Sequence, residues 1–390
     1  MSELLNGRWA ETKEALLEGL QGTKRSVMGV TLENTRKYLM ESPTAGATSA
    51  GNVATLNRVI LPVIRRVMPT VIANELVGVQ PMTGPVGQIH TLRVRYADSS
   101  SGAGVVAGEE ALSPFKIAEA YSGNEASPAK AASTATLEGA AGKRMSIQIL
   151  KQTVEARTRK LSARWTFEAA QDAQAQQGID IEAEIMAALA QEITAEIDQE
   201  ILTSLGSLAG TAVETYNQSQ VSGTATFVGD EHAALAVQIN RASNLIAQRT
   251  RRGAGNWAVV SPFALTILQS ATTSAFARTT EGTFEAPTNT KFVGTLNGAM
   301  KVYVNTYAAD NANVLIGYKG SSESDAAAFY CPYIPLMSSG VVLDPATFEP
   351  VVSFMTRYGY VELSNTASSL GNAADYLANV AIAHSSVSFK

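Results

Sequence analysis

The sequence predicts an α+β fold, and three observations carry that reading. The stretch 180–205, DIEAEIMAALAQEITAEIDQEILTSL, places Ile181, Ile185, Leu189, Ile193, Ile197, Ile201 and Leu205 four residues apart, a helical spacing without strand alternation. Candidate helices and strands interleave irregularly through the rest of the chain, unlike the strict alternation of a doubly wound sheet. Between them, 96–144 runs for about fifty residues rich in Gly, Ala and Ser with almost no periodicity.

Taken in order, 1–41 reads as a polar, helix-prone arm, with Leu16, Leu17 and Leu20 in one piece and Leu32, Tyr38 and Leu39 in another. SPTAGATSAGN (42–52) has a linker's composition. Leu56, Val59, Ile60, Val63, Ile64 and Val67 describe an amphipathic helix, bent at Pro62 and stopped by Pro69. Residues 90–96 alternate as a strand. The stretch 96–144 is either disordered or an extended hairpin whose backbone finds partners on a neighbouring copy. Ile147, Ile149 and Val154 alternate with polar residues, as in one long half-buried strand over 145–167.

The helix 180–205 has Asp180 to cap its start and Gly206 to mark its end. At ~1.5 Å per residue it spans a small domain. Its apolar stripe drifts around the axis, so successive turns bury different sides, as a brace crossing several layers would. A Thr/Ser/Gly-rich connection (206–229) leads to a helix that Asp230 can cap, carrying Leu235, Ile239, Ala242 and Ile246. There follow a strand at 257–260 and a proline-started helix at 262–269. Asn297-Gly298, a strong hairpin signal, precedes a strand at 301–304. Further strands are expected at 314–318, around FYCPYIPL, and at 353–363.

Length and composition bound the possibilities. A chain of 390 residues suggests two or three folding units. Thirty Lys+Arg against 35 Asp+Glu is not a nucleic-acid footprint. Charges interrupt every apolar run before a membrane span's roughly 20 residues are reached. The start, SELLNGRWAETKE, lacks a signal peptide's apolar region. One cysteine, Cys331, excludes an internal disulfide framework and fits assembly in a reducing cytoplasm. Charge is also segregated: no Lys or Arg occurs between 165 and 240, where nine or more acids fall. Lys143, Arg144, Lys151, Arg157, Arg159, Lys160 and Arg164 lie just upstream against the single Glu155. Either the acidic face is simply solvated, or the basic segment meets it, within the chain or on a neighbouring copy.

The search for chemistry returns little. His90, His232 and His384 lie far apart in sequence, and no HExxH, paired-cysteine metal spacing, Walker A loop, GxGxxG or GxSxG occurs. Gly317-Tyr318-Lys319-Gly320-Ser321 lacks the frame of a phosphate loop and reads as a strand-ending turn. Cys331, between Tyr330 and Pro332, reads as a buried inert thiol. Arg249, Arg251 and Arg252 could bind an anion, although a solvated or inter-subunit loop is the commoner outcome. No cofactor and no enzymatic activity are expected. A chain this long without a site reads as one built to touch copies of itself.

Three stretches carry a family signature: RRVMPTVIANELVGVQPMTGPVGQIHTLRVRY; RWTFEAAQDAQAQQGIDIEAEIMAALAQEITAEIDQEIL; and GTLNGAMKVYVNTY followed by VLIGYKGSSESDAAAFYCPYIPL and DPATFEPVVSFMTRYGY. Together they resemble the major capsid protein of T-even-type tailed phages. The resemblance implies the HK97-like capsid fold: an N-terminal arm (1–55), a peripheral domain begun at 56–95, an E-loop hairpin (96–145), the peripheral domain resumed at 146–229 around the spine helix 180–205, an axial domain (230–350), and a return strand with the C-terminal tail (351–390). The implied function is a non-enzymatic shell protein that self-assembles into hexamers, with or without pentamers of the same chain, tiled into an icosahedral head around double-stranded DNA. The alternative with the same fold is an encapsulin-like nanocompartment shell.

The resemblance also frames the remaining expectations. Arg157, Arg159, Lys160, Arg164, Arg251 and Arg252 are candidate assembly contacts. Glu192, Glu196 and Glu200 are a candidate lumen-facing acidic face that repels the genome within about a Debye length. Leu39-Met40-Glu41 fits the prohead-protease pattern Leu/Ile-x-Glu, making Glu41 a candidate cut, and Leu16-Leu17-Glu18 fits it more weakly. Family members carry a folded insertion in the E-loop, for which 96–144 is expected to be too short. Vertex, portal, scaffold and decoration proteins are the implied partners, with the virion as location, host cytoplasm as the place of assembly, and no membrane contact.

Overall fold

The computed structural model describes residues 9, 13, 14, 17, 22–41, 72–101, 104–109, 111, 121–123, 131–139, 141–177, 180–221, 228–271, 276–278, 291–347, 349–363 and 373–387. The linker at 42–52, the helix expected at 56–67 and much of 96–144 lie outside them. In chain order the described elements are α1 (Gly22–Glu41), α2 (Ala73–Leu76), β1 (Gly78–Val79), β2 (Val86–Tyr96), α3 (Thr134–Leu137), β3 (Met145–Glu155), β4 (Arg157–Arg164), α4 (Phe167–Gln177) and α5 (Ile181–Ala209). There follow β5 (Glu214–Tyr216), α6 (Val228–Thr250), β6 (Trp257–Val260), α7 (Pro262–Ser270), β7 (Phe276–Arg278), β8 (Lys291–Leu296), β9 (Met300–Val304), β10 (Val314–Gly317), β11 (Ala328–Ser338), β12 (Val342–Leu343), β13 (Pro350–Glu362) and β14 (Leu377–Ile382). The architecture is α+β, as expected.

The spine helix α5 is the centre of this arrangement. Asp180 caps it by accepting from the Glu182 amide at 3.1 Å. It runs through Gly206 and ends at Gly210, whose φ of +66° suits glycine. Sequence placed the end one turn early because a helical glycine and a terminating one look alike. The drifting stripe is buried from its third member onward: Leu189, Ile193, Ile197, Ile201 and Leu205 enter the core, whereas Ile181 and Ile185 are only half-buried.

Two larger sheets flank the spine. In the first, β13 lies between β11 and β4, both antiparallel to it; β1 adds to β11 in parallel and β12 pairs with the first residues of β13. The second runs β5-β14-β10-β6-β9-β8-β7. One core packs α1, α2, the spine helix and the first sheet against Trp257, Val259, Tyr303 and Leu315 of the second. The opposite face of that second sheet (Ala258, Val260, Val302, Ile316, Val380) forms another core with Leu235, Ile239 and Ile246 of α6 and Ile267 of α7. Successive residues of β6 thus serve different cores, as a strand's period of two requires.

Sheet membership does not follow the order of the expected segments. β11 and β12 belong to the first sheet, although 328–343 fell within the segment 230–350 expected to be axial. Conversely β5, inside 146–229, and β14, inside the expected tail 351–390, are neighbours in the second sheet. The run 145–167 is two strands, broken at Ala156, whose amide bonds to Pro85. α6 begins two residues ahead of Asp230, which lies in its first turn. The strand at 257–260 matches its expected bounds, and Asn297 and Gly298, with φ of +53° and +70°, turn β8 into β9.

Candidate assembly surfaces

The segregated charges meet inside the chain. Alternation along β4 turns Arg159 toward the spine helix, where it donates to Glu196 Oε2 and Glu200 Oε2, each at 2.6 Å, and to the Tyr358 hydroxyl at 2.6 Å. Tyr358, on the adjoining β13, donates to Glu200 in turn. Partial burial works against the Arg159 charge, but hydrogen bonds to Glu200 and Tyr358 outweigh it and hold its pKa above the ordinary value. Burial likewise opposes the Glu200 carboxylate, and Arg159 and Tyr358 still hold its pKa below the usual range. Arg159 therefore ties sheet to spine within the chain, one of the two arrangements the segregated charges allowed. Glu196 and Glu200 are correspondingly paired with Arg159, and Glu192 and Glu196 are exposed.

The other candidates separate. Lys160 and Arg164 lie on the face of β4 opposite the one carrying Arg159. Arg157, Lys160 and Arg164 are exposed, and Arg164 reaches Glu349 at 3.9 Å. Arg252 pairs with Asp325 at 2.7 Å, so it too serves the fold of its own chain. Arg251, just past α6, has a φ of +49°. Glu41 is the last residue of α1. That helix is docked rather than loose: Val27, Met28 and Leu32 are buried, and the Asn34 amide donates to the carbonyls of Met82 and Tyr333 at 2.6 and 3.0 Å.

The stretch expected to be a loop is carried on a regular ribbon. β2 and β3 pair antiparallel over eleven residues each, from Val86↔Glu155 to Tyr96↔Met145, so the hairpin begins ten residues ahead of its expected start at 96 and returns through 155. Its base is anchored by Val154, buried in the first core. On the opposite face stand Met145, Ile147 and Ile149, 53%, 68% and 65% exposed, in register with Tyr96, Val94 and Leu92. The alternation was legible; Ile147 and Ile149 stand exposed, whereas at the far end of the same face Tyr96 is buried against Tyr121. Beyond the ribbon, Tyr96, Val105, Ala111 and Tyr121 form a small core of their own. Tyr121 donates to the Arg144 carbonyl at 2.5 Å, and Arg144 pairs with Asp98 at 3.1 Å. Much of the segment in which the family's insertion would lie falls outside the described residues.

Among the described residues no group of His, Cys, Asp and Glu could hold a metal, and no helix is long and apolar enough to cross a membrane. Cys331 is buried, and burial pushes its thiol up to about 12, as an inert thiol requires. His232 is buried with Nδ1 2.5 Å from Ser270 Oγ, and His384 lies against the Phe263 ring. The glycines of 317–321 are spaces for neighbours: a Cβ on Gly317 would lie 2.1 Å from the Trp257 ring.

A family described as major capsid protein Gp23 matches residues 53–141 and 125–385. The chain belongs to the Gp23 major capsid protein family. The major capsid protein of Vibrio phage KVP40 is 29% identical over 432 residues, covering 86% of this chain and 82% of the relative. That of Enterobacteria phage T4 is 30% identical over 407 residues, covering 81% and 76%. Among solved structures, a Mycobacterium phage Bobi chain aligns at a TM-score of 0.49 and 13% identity, covering 80% of this chain and 89% of its own. The capsid of Myoviridae phage XM1 aligns at 0.45 and 10%, covering 78% and 88%. As a Gp23-type capsid protein, the chain is a structural component of a tailed-phage head shell, and the nanocompartment alternative finds no support in these matches. Sequence reasoning missed two residues of this capsid protein that its geometry singles out. Tyr358 completes the Arg159 tie, and Asp198 is buried in the middle of the spine. Asp198 was counted among the acids of a one-signed helix, although it falls one residue after Ile197 on the apolar arc.

Proposed function

We propose that this capsid protein closes its uncovered ribbon face against a neighbouring copy, and that repetition of this contact builds hexamers tiled into an icosahedral shell around double-stranded DNA. The observation that carries the proposal is the row Met145, Ile147 and Ile149, exposed on the side of β3 turned away from the buried Val154. Large apolar side chains aligned on a ribbon that adds to neither larger sheet are covered at little cost by a partner surface. In this reading the HK97-like peripheral domain is the first sheet with the spine, and the axial domain is the second sheet with α6 and α7. The exposed Arg157, Lys160 and Arg164 supply charge to inter-subunit contacts, and the exposed Glu192 faces the lumen. Cleavage after Glu41, contacts with vertex, portal, scaffold and decoration proteins, and assembly in the host cytoplasm belong to the same reading.

The test is Ile147→Asp combined with Ile149→Asp. Electron micrographs of the wild-type protein should show shells or tubes, while the double variant should remain as unassembled subunits with unchanged circular dichroism. Normal shells from the double variant would refute the ribbon contact. Intact mass of purified shells tests the cut: a chain starting after Glu41 supports it, and only full-length chain ends it.

A further inference from the structure

Residues 72–79 are held by every layer of the molecule. The Ile72 amide donates to Asp198 Oδ1 on the spine helix at 2.9 Å. Glu75 Oε2 accepts from Lys301 Nζ and the Tyr303 hydroxyl of β9, both at 3.3 Å. The Asn74 carbonyl accepts from Lys319 Nζ at 2.7 Å, and the Val79 amide donates to Glu323 Oε2 at 2.9 Å. Gly78 and Val79 then pair with Phe329 and Tyr330 of the first sheet. This short segment is the place where spine, first sheet and second sheet are pinned together.

Its pin on the spine is an unusual one. Asp198 is 1% exposed, and beyond the Ile72 amide it makes no further hydrogen bond among the described residues, its Oδ2 being buried without a partner. A buried carboxylate held by one backbone N–H is poorly compensated when charged. Burial pushes its pKa up to about 7, against the opposing pull of the Ile72 amide. Tyr330 of β11 feels the Asp198 charge together with those of Tyr358, Cys331 and Glu200, and Glu75 of the seated segment is held by Lys301 and Tyr303 of β9. Burial drives Tyr330, Tyr358 and Cys331 upward, while Arg159 and Tyr358 hold Glu200 down despite its own burial. Those four therefore keep their protonation state across neutrality.

We propose that Asp198 is a proton-operated latch: protonated, it seats 72–79 on the spine helix, and ionised, it loosens that seat and frees the two sheets to change their relative tilt. The sign follows from linkage. A carboxyl whose pKa is higher in the seated state than in the open one favours seating at low pH. That advantage declines above the ordinary carboxylate pKa and levels off above about 7. Local opening of the segment should therefore rise about tenfold between about pH 6 and about pH 8.

Hydrogen–deuterium exchange of amides 72–79 in the full-length protein, normalised for the intrinsic pH dependence of exchange, reads this directly. Wild type should lose protection about tenfold over that interval. Asp198→Asn, which can still accept from Ile72 but does not titrate, should show a flat profile. A flat wild-type profile, or an Asp198→Asn profile that tracks wild type, overturns the latch. Should Asp198→Asn fail to fold, Asp198→Ser, equally without charge, replaces it. If both fail, a wild-type rise that continues without levelling above about pH 8 overturns it as well.

Discussion

Arg159 donates hydrogen bonds to three oxygens on two different elements, which makes it a sharper probe than any other cation of the basic segment. Arg159→Met should cost about 2 kcal/mol in denaturant unfolding of the subunit, since bonds to charged partners exceed ordinary ones and Glu200 would be left half-buried and unopposed. Lys160→Met, on the exposed opposite face, should stay within about 0.5 kcal/mol. The same tie sets a pH dependence. Because the folded Glu200 pKa is lowered, its contribution is present above the ordinary glutamate range and lost as pH falls through the folded value. Acid therefore weakens the Arg159 tie while it strengthens the Asp198 seat, so thermal melts of Glu200→Gln should lose the acid-side slope alone. Gly317→Ala tests packing instead: its Cβ would meet the Trp257 ring at 2.1 Å, so melting should report a loss of about 3 kcal/mol. None of these roles was readable from neighbours in sequence. Arg159 and Glu200 lie 41 residues apart, and Gly317 meets Trp257 only because β10 pairs with β6.

Elements governed by local chemistry were the legible ones. Ser261 ahead of Pro262 starts α7 where expected, and Asn297-Gly298 turns β8 into β9, because capping and positive φ are set by a few adjacent residues. The end of the spine helix was missed for the converse reason: whether Gly206 terminates a helix or merely weakens it is decided by packing around it. A Cβ at Gly206 meets nothing within 4 Å, and the position lies inside α5. Gly206→Ala should thus stabilise the subunit by about 0.5–1 kcal/mol, visible as a raised melting temperature. For β3 the alternation of Ile147 and Ile149 announced an amphipathic strand. It could not announce that Ile147 and Ile149 would stand 68% and 65% exposed.

At the scale of the molecule, sequence order and sheet order diverge, and this defeats any division of the chain into consecutive segments. The first sheet gathers β1, β4, β11, β12 and β13, while the second takes β5 to β10 from between β4 and β11 and β14 from beyond β13. The spine helix and the clamped segment 72–79 hold the two together. One pairing has a temporal consequence. Gly78 lies beside Phe329, a separation of 251 positions, whereas β6, β9 and β10 of the second sheet all fall within 257–317. Closing so wide a loop is slow, and nearby partners meet first. Pulse labelling during refolding should therefore find 257–260 and 314–317 shielded before 328–338. A half-made subunit would hold β6, β9 and β10 together while β1 and β11, on which the clamped segment 72–79 seats, are still apart, so a copy becomes fit to join its neighbours only in the last stage of its own folding.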